Sequence, residues 1–279
     1  MRQNKEEYPK FSVLMSVYSN ENAEHFKEAL LSIKHQTIPC NDFVLVVDGP
    51  ISKKLEIVIE HFKDQLPLNI VRLPINKGLG YALSEGLKHT KYDIVARADS
   101  DDINYFNRFE IQLPVLNKNR NVSIVGGQIS EFNNNSDVIE NVRFVPLSHM
   151  QIQKFSKKRS PFNHPTVVFR KDKIQEVGGY VDYPPFEDYH LWMRILDAGL
   201  ITENVSDIVV KMRAGNNMYG RRGGLTYFIK YVKLRSLFLK QRYIGSIDYI
   251  ISVMLMSISM ILPTKIRKKM YGLFLRRSK

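Results

Sequence analysis

The chain has 279 residues, of which 44% are hydrophobic, enough for one large domain or for one domain plus an appendage. Its formal charge is +13, yet the excess sits at one end: from Val205 onward 16 Lys and Arg face two acids, Asp207 and Asp248. A single cysteine, Cys40, excludes an intrachain disulfide and points to a reducing, cytoplasmic setting, and the first ten residues lack the apolar core of a signal peptide.

In chain order, residues 11–17 (FSVLMSV), 42–47 (DFVLVV), 69–73 (NIVRL) and 92–98 (YDIVARA) are short apolar runs ended by polar or turn residues, and each reads as a strand. Between the first two, Ala23, Phe26, Ala29, Leu30 and Ile33 fall on one helical face. Leu79, Ala82, Leu83 and Leu87 do the same over 79–87. Strand and helix alternating at this spacing predict βαβ units and a mostly parallel sheet covered on both faces. Ligands of such sheets bind beyond the carboxyl ends of the strands, where Asp48 and the group Asp99, Asp101 and Asp102 would open onto one crevice. A helix follows at 105–118, then strands with a polar turn (NNNSD) over 122–145. A helix from Glu187 to Ala198 is stopped by Gly199. This second half is α+β in character and forms the other wall of the cleft.

Three carboxylates in four positions repel one another unless a cation lies among them. A D-x-D at a strand end supplies hard oxygen ligands for Mg²⁺ or Mn²⁺, with substrate phosphates completing the shell. The competing reading is a polar loop in which Asp102 caps the next helix, and the motif alone leaves both open. The calcium-loop spacing D-x-D-x-D-G is absent. No histidine pair has zinc spacing, and neither a P-loop nor a G-x-G-x-x-G follows a strand, so a kinase or dehydrogenase has no support. No module for reading nucleic acid is recognisable in the basic region.

Taken together, SVYSNEN, VLVVDGP, NKGLGYALSEGL, ARADSDD, NHPTVVFRK, EVGGY and FEDYHLWMR resemble, in order, the segments of the family 2 glycosyltransferases of GT-A fold, from about Phe11 to Arg213. The resemblance implies an inverting, Mn²⁺- or Mg²⁺-dependent transfer from a nucleotide sugar, with UDP the preferred nucleotide, to a lipid-linked saccharide in bacterial surface-polysaccharide synthesis. It implies that Asp48 bonds the base with Tyr18 beside it, and that Lys77 and Arg97 lie along the nucleotide. Asp99 would face ribose and metal, Asp101 would ligate the metal, and Asp188 would be the catalytic base. His164, Glu187 and Arg213 fall on the acceptor or diphosphate side. Two departures stand out. Val47-Asp48 replaces the family's frequent acid pair, and the late loop keeps Arg213 but lacks the family's histidine, leaving Arg221 or Arg222 as substitutes.

An inverting transfer needs one carboxylate to deprotonate the acceptor hydroxyl. Glu187 and Asp188 open a helix whose dipole stabilises the anion, while their mutual repulsion opposes it. Taken alone, the pair is better read as a helix cap, His164 as a structural histidine, and Trp192, Ile195 and Leu196 as core. The transferase domain is expected over 1–222 and a basic helical tail over 223–279. In the tail, Thr226, Lys230, Lys233, Ser236 and Lys240 form one stripe and Leu225, Phe228, Ile229 and Val232 face away. The apolar run 249–262 is too short to span a bilayer, which takes about 20 residues. With the basic-aromatic end TKIRKKMYGLFLRRSK it reads as an interfacial anchor on the anionic inner face of the plasma membrane. Packing on the domain or a homodimer interface is the alternative for that run. Other readings of the whole chain are a nucleotidyltransferase on a similar sheet, or a catalytically silent nucleotide- or membrane-binding assembly partner.

Overall fold

The structure is a computed structural model and describes residues 8–214 and 224–261. Nine strands form one sheet in the order β3-β2-β1-β4-β8-β6-β9-β5, with β7 paired to β6. The strands are β1 (Phe11–Tyr18), β2 (Asp42–Asp48), β3 (Leu68–Leu73), β4 (Ile94–Arg97), β5 (Ile103–Asn104), β6 (Val122–Phe132), β7 (Asn141–Arg143), β8 (Val168–Arg170) and β9 (Ile201–Arg213). The first four are parallel. From β4 onward neighbours are antiparallel except β6 with β9. The predicted mostly parallel sheet therefore holds for the first half, and the second half is mixed.

One face of the sheet carries α1 (Ala23–Lys34), α2 (Lys53–Phe62) and α4 (Arg108–Lys118), packed on Phe11, Val13, Phe43 and Leu45. The other carries α3 (Leu79–His89), α5 (His149–Ser156), α6 (Lys171–Glu176) and α7 (Glu187–Asp197), packed on Leu14, Val44, Val46 and Phe169. Local chemistry fixes the helix ends. The Asn22 side chain accepts from the amides of Glu24 and His25 to start α1, and Gly199, at φ +72°, ends α7. Gly86 lets α3 press on the sheet: a Cβ there would stand 2.5 Å from Val46 Cγ2 and 2.6 Å from Leu14 Cδ1.

Order reverses between β1 and β4, because β1 leads outward to β2 and β3 on one side and β4 lies on the other. The crevice beyond their carboxyl ends is where Tyr18, Asp48 and the 99–102 aspartates emerge.

In the tail the stripe Thr226, Lys230, Lys233, Ser236 and Lys240 is exposed as expected, but the buried side is not the one formed by Leu225, Phe228, Ile229 and Val232. In α8 (Leu225–Lys240) the buried residues are Tyr231, Leu234, Arg235 and Phe238, while Leu225 and Ile229 are exposed. The cause is α7: Phe186, Tyr189 and Met193 offer an aromatic patch that the 231/234/238 stripe fits. The buried Arg235 fixes the contact, donating to Tyr189 Oη (2.9 Å), Ser252 Oγ (2.8 Å) and Lys157 O (2.7 Å). The following helix, α9 (Ser246–Ile261), leans on α8 and leaves Ile247, Ile250, Met254 and Leu255 exposed. Among the described residues no helix is long and apolar enough to cross a membrane.

Candidate active site

Four chain segments build the site. The end of β4 supplies Arg97 and the loop Asp99–Asp102. One carboxylate oxygen from each of Asp99, Asp101 and Asp102 lies within 4.8 Å of the others. Burial, then the charges of Asp99 and Glu21, push the Asp101 carboxyl up to about 7. Burial, then Asp101 and Asp99, hold Asp102 well above the carboxylate range. Such mutual elevation marks a site short of positive charge. Asp102 accepts the Arg213 amide on Oδ1 (2.8 Å), and its buried Oδ2 has no protein partner. Converging hard oxygens with an orphaned buried carboxylate oxygen fit a divalent cation such as Mg²⁺ or Mn²⁺.

The loop is braced from behind. Arg97, fully buried, pairs with Asp99 through Nη2, while its Nε and Nη1 have no protein partner. Beneath it Arg108 donates to Arg97 O (2.9 Å), Asn104 Oδ1 (2.5 Å) and Gln112 Oε1 (3.0 Å). Ser100 Oγ donates to Glu21 Oε2 at 2.6 Å. Glu21 and Tyr180 fall inside the segments SVYSNEN and EVGGY without being singled out there, and Arg108 falls in none of those segments; only the fold brings the three around the aspartates.

The second segment is the end of β2. Asp48 accepts the amides of Lys77 (2.8 Å) and Gly78 (2.9 Å), one on each oxygen, so it closes the turn that starts α3. Gly49, at φ +82°, is required there because a Cβ would come within 2.5 Å of Asn76 N. Lys77 is exposed with its ammonium 4.3 Å from the centroid of Tyr81, and Tyr18 is exposed at the end of β1.

The third segment is the start of α7. Glu187 is buried, and its Oε2 has no protein partner. Burial, then Asp188, push its carboxyl up to about 7. Asp188 is partly exposed beside it. Both acids act electrostatically on Tyr180, which also lies in the fields of Arg97 and Asp99, so the α7 terminus and the β4 loop border one polar region. Gly80 of α3 completes that wall, where an added Cβ would stand 2.8 Å from Val181 O. His164 Nε2 lies 3.0 Å from Tyr180 Oη, and burial holds the imidazole well below its usual range. It reaches the site through Tyr180.

The fourth segment is the end of β9. Arg213 donates from its amide to Asp102 and from Nε to Asp101 O (3.1 Å), and its Nη2 pairs with Glu28. Its guanidinium also lies over Phe132. These contacts place it behind the aspartate loop rather than toward open space. Arg221 and Arg222 lie outside the described residues.

The family model for glycosyl transferase family 2 matches residues 12–178, more than half of the chain. The chain is a family 2 glycosyltransferase. It is 42% identical over 96% of its length to an uncharacterized glycosyltransferase of Haemophilus influenzae, covering all of that protein. It is 39% identical, over 96% of its own length and 98% of the relative's, to a UDP-Gal:α-D-GlcNAc-diphosphoundecaprenol β-1,3-galactosyltransferase of Escherichia coli. An amylovoran biosynthesis glycosyltransferase of Erwinia amylovora is 37% identical over 94% of this chain and 97% of that one. Among solved structures, a mannosyltransferase from Pyrobaculum calidifontis in complex with GDP-Man and Mn²⁺ superposes with a TM-score of 0.63 at 16% identity, over 96% of this chain and 74% of that one. That likeness shows the GT-A fold.

Proposed function

We propose that this glycosyltransferase is an inverting, divalent-metal-dependent enzyme that moves a hexose or N-acetylhexosamine from a UDP-sugar to a lipid-linked saccharide in the assembly of a bacterial surface polysaccharide. The observation that carries this reading is the convergence of Asp99, Asp101 and Asp102 at the end of β4, within one electrostatic region with Glu187 and Asp188 of α7. The UDP donor and lipid-diphosphate acceptor follow the activity for which the Escherichia coli relative is named. The domain takes in residues 1–222 and the tail 223–279.

In this reading Asp101, with Asp99, would hold Mg²⁺ or Mn²⁺, which when bound would supply positive charge to neutralise a diphosphate leaving group. Asp48 and the 77–78 amides shape the nucleotide pocket, with Tyr18, Lys77 and Arg97 along the donor. Asp188 accepts the proton of the acceptor hydroxyl at its carboxylate as that oxygen attacks the anomeric carbon from the face opposite the diphosphate. Glu187, its carboxyl pushed up to about 7 by burial and then by Asp188, holds a proton more readily than an ordinary glutamate and lies beside the base. His164 orients Tyr180, and Arg213 positions the backbone of Asp101 and Asp102. Arg221 and Arg222 are the candidates for the departing diphosphate.

The exposed apolar side of α9, the lysines of α8 and the basic C-terminal sequence support docking on an anionic membrane at the cytoplasmic leaflet, where a lipid-linked acceptor is presented. Calorimetric titration of UDP with and without Mn²⁺, repeated on Asp101→Ala, tests the site. Metal-dependent binding lost in the variant is expected; equal binding without metal would remove the ion from the mechanism.

A further inference from the structure

A groove of about 410 Å³ lies at the seam between the catalytic body and the tail, between α5, the C-terminal half of α7 and the α8–α9 connection. It is separate from the acids at the start of α7. Asp197 on its wall lies nine positions beyond Asp188, about 14 Å along the helix. Three cations line it, Lys154, Lys157 and Arg242, against one acid, Asp197. No described carboxylate forms an ion pair with any of the three cations.

The groove has a fixed frame. The buried Arg235 donates to the carbonyl of Lys157, and Tyr189 Oη donates to Ser156 O at 2.5 Å. These bonds tie the end of α5 to α7 and α8. Arg242 is the one described non-glycine residue with positive φ, at +62°. Arginine in the left-handed region is held by its surroundings at some cost, and such outliers concentrate at binding sites. Here the turn places a cation on the groove rim.

Apolar side chains flank the cations. Met150, on the α5 wall, is 77% exposed, and Tyr243 forms part of the lining. One turn past Tyr243, Ile247 is 74% exposed and begins the bare apolar side of α9. Unpaired cations between exposed apolar residues match the headgroup level of a bilayer, where phosphate meets the upper acyl chain. Free phosphate would use the cations and leave Met150 and Ile247 without a role.

We propose that this groove binds the phosphate of an anionic membrane phospholipid, with Lys154, Lys157 and Arg242 as its cations and α9 seated in the interface beside it. The proposal rests on the membrane-docking part of the function above and adds a defined headgroup site to it.

The test compares the full-length protein with two triple variants of equal charge. One is Lys154→Gln/Lys157→Gln/Arg242→Asn, in which asparagine tolerates the left-handed backbone. The other is Lys53→Gln/Lys54→Gln/Lys63→Gln, on and just after α2 on the opposite face of the sheet. Binding to phosphatidylcholine vesicles with and without 30 mol% phosphatidylglycerol, about a third of the lipid as used to mimic an anionic leaflet, is measured by sedimentation. Each cation near an anionic leaflet contributes roughly fivefold, so the groove variant loses about 100-fold in affinity for the anionic vesicles. The α2 variant changes by less than about threefold, and transfer to a soluble acceptor is unaltered in both. Equal losses in the two variants would overturn the groove while leaving docking by diffuse charge. No binding of the wild-type protein to either vesicle would overturn docking and groove together. Calorimetric binding of inorganic phosphate alone that depends on the same three residues and competes with vesicles would assign the site to free phosphate and overturn the lipid.

Discussion

Replacing Asp101 by asparagine removes one of three carboxyls whose mutual repulsion the protein tolerates in the absence of a cation. The Asp101 carboxyl rises from 3.8 to about 7, first through burial and then through Asp99 and Glu21. For an acid raised in the folded state the sign is unfavourable. Above pH 3.8 the unfolded chain releases this proton while the folded chain keeps it, so stability falls as pH rises towards 7 and stays lowered above it. About three pH units at 1.36 kcal/mol each amount to roughly 4 kcal/mol. The amide carries no such penalty. Thermal unfolding in EDTA from pH 5 to 9 is the assay. Wild-type protein loses about 8 °C between pH 5 and 8, Asp101→Asn loses much less, and the variant is the more stable of the two at pH 8. Adding Mn²⁺ restores the wild-type melting temperature at pH 8 and leaves the variant unmoved. Parallel pH curves, or a variant less stable than wild type at pH 8, would refute the reasoning that the aspartates are held in repulsion.

Asp188→Asn is expected to lower transfer by about 10² to 10⁴ with the affinity for UDP unchanged, measured by turnover and calorimetry side by side. A weakened UDP affinity would move Asp188 from the base to the nucleotide. Arg235→Met strips the α7–α8 contact of its donors, leaving Tyr189 Oη and Ser252 Oγ only their bonds to Ser156 O and Tyr249 O and taking the Arg235 donor from Lys157 O, so urea unfolding should show a loss of about 3 kcal/mol. A neutral result would mean that the tail is held by apolar packing alone. Gly86→Ala drives a methyl into Val46 and Leu14 and should cost about 1–3 kcal/mol by the same measurement.

The first half of the fold was legible because its central strands are buried on both faces and read as unbroken apolar runs: β2 is buried throughout its length, while the edge strand β3 is only partly buried. β9 was not. Thr202, Glu203, Asn204, Ser206 and Asp207 interrupt it, and register shifts against β6 erase the alternation that marks a strand. The face of α8 was misjudged for a related reason. Tyr231 and Arg235 are polar by residue type, and only the aromatic patch on α7 makes them core.

In the site, Asp99, Asp101 and Asp102 were readable from their spacing at a strand end. Asp48 also clasps the 77–78 turn, and Arg213 braces the aspartate loop from behind, contacts that no spacing announces. Arg108, Glu21 and Tyr180 stand far apart in the chain and converge only through the tertiary fold. A recognition signal carried by tertiary approach has no period or spacing to betray it.

The central claim is an inverting transfer from a UDP-sugar. Its most direct test is the anomeric coupling constant, by proton NMR, of the product formed from α-configured UDP-sugars and a lipid-diphosphate-linked N-acetylhexosamine in the presence of Mn²⁺. The account predicts a β-linked product that disappears in Asp188→Asn and on chelation of the metal. An α-linked product, or transfer that survives both changes, would contradict it.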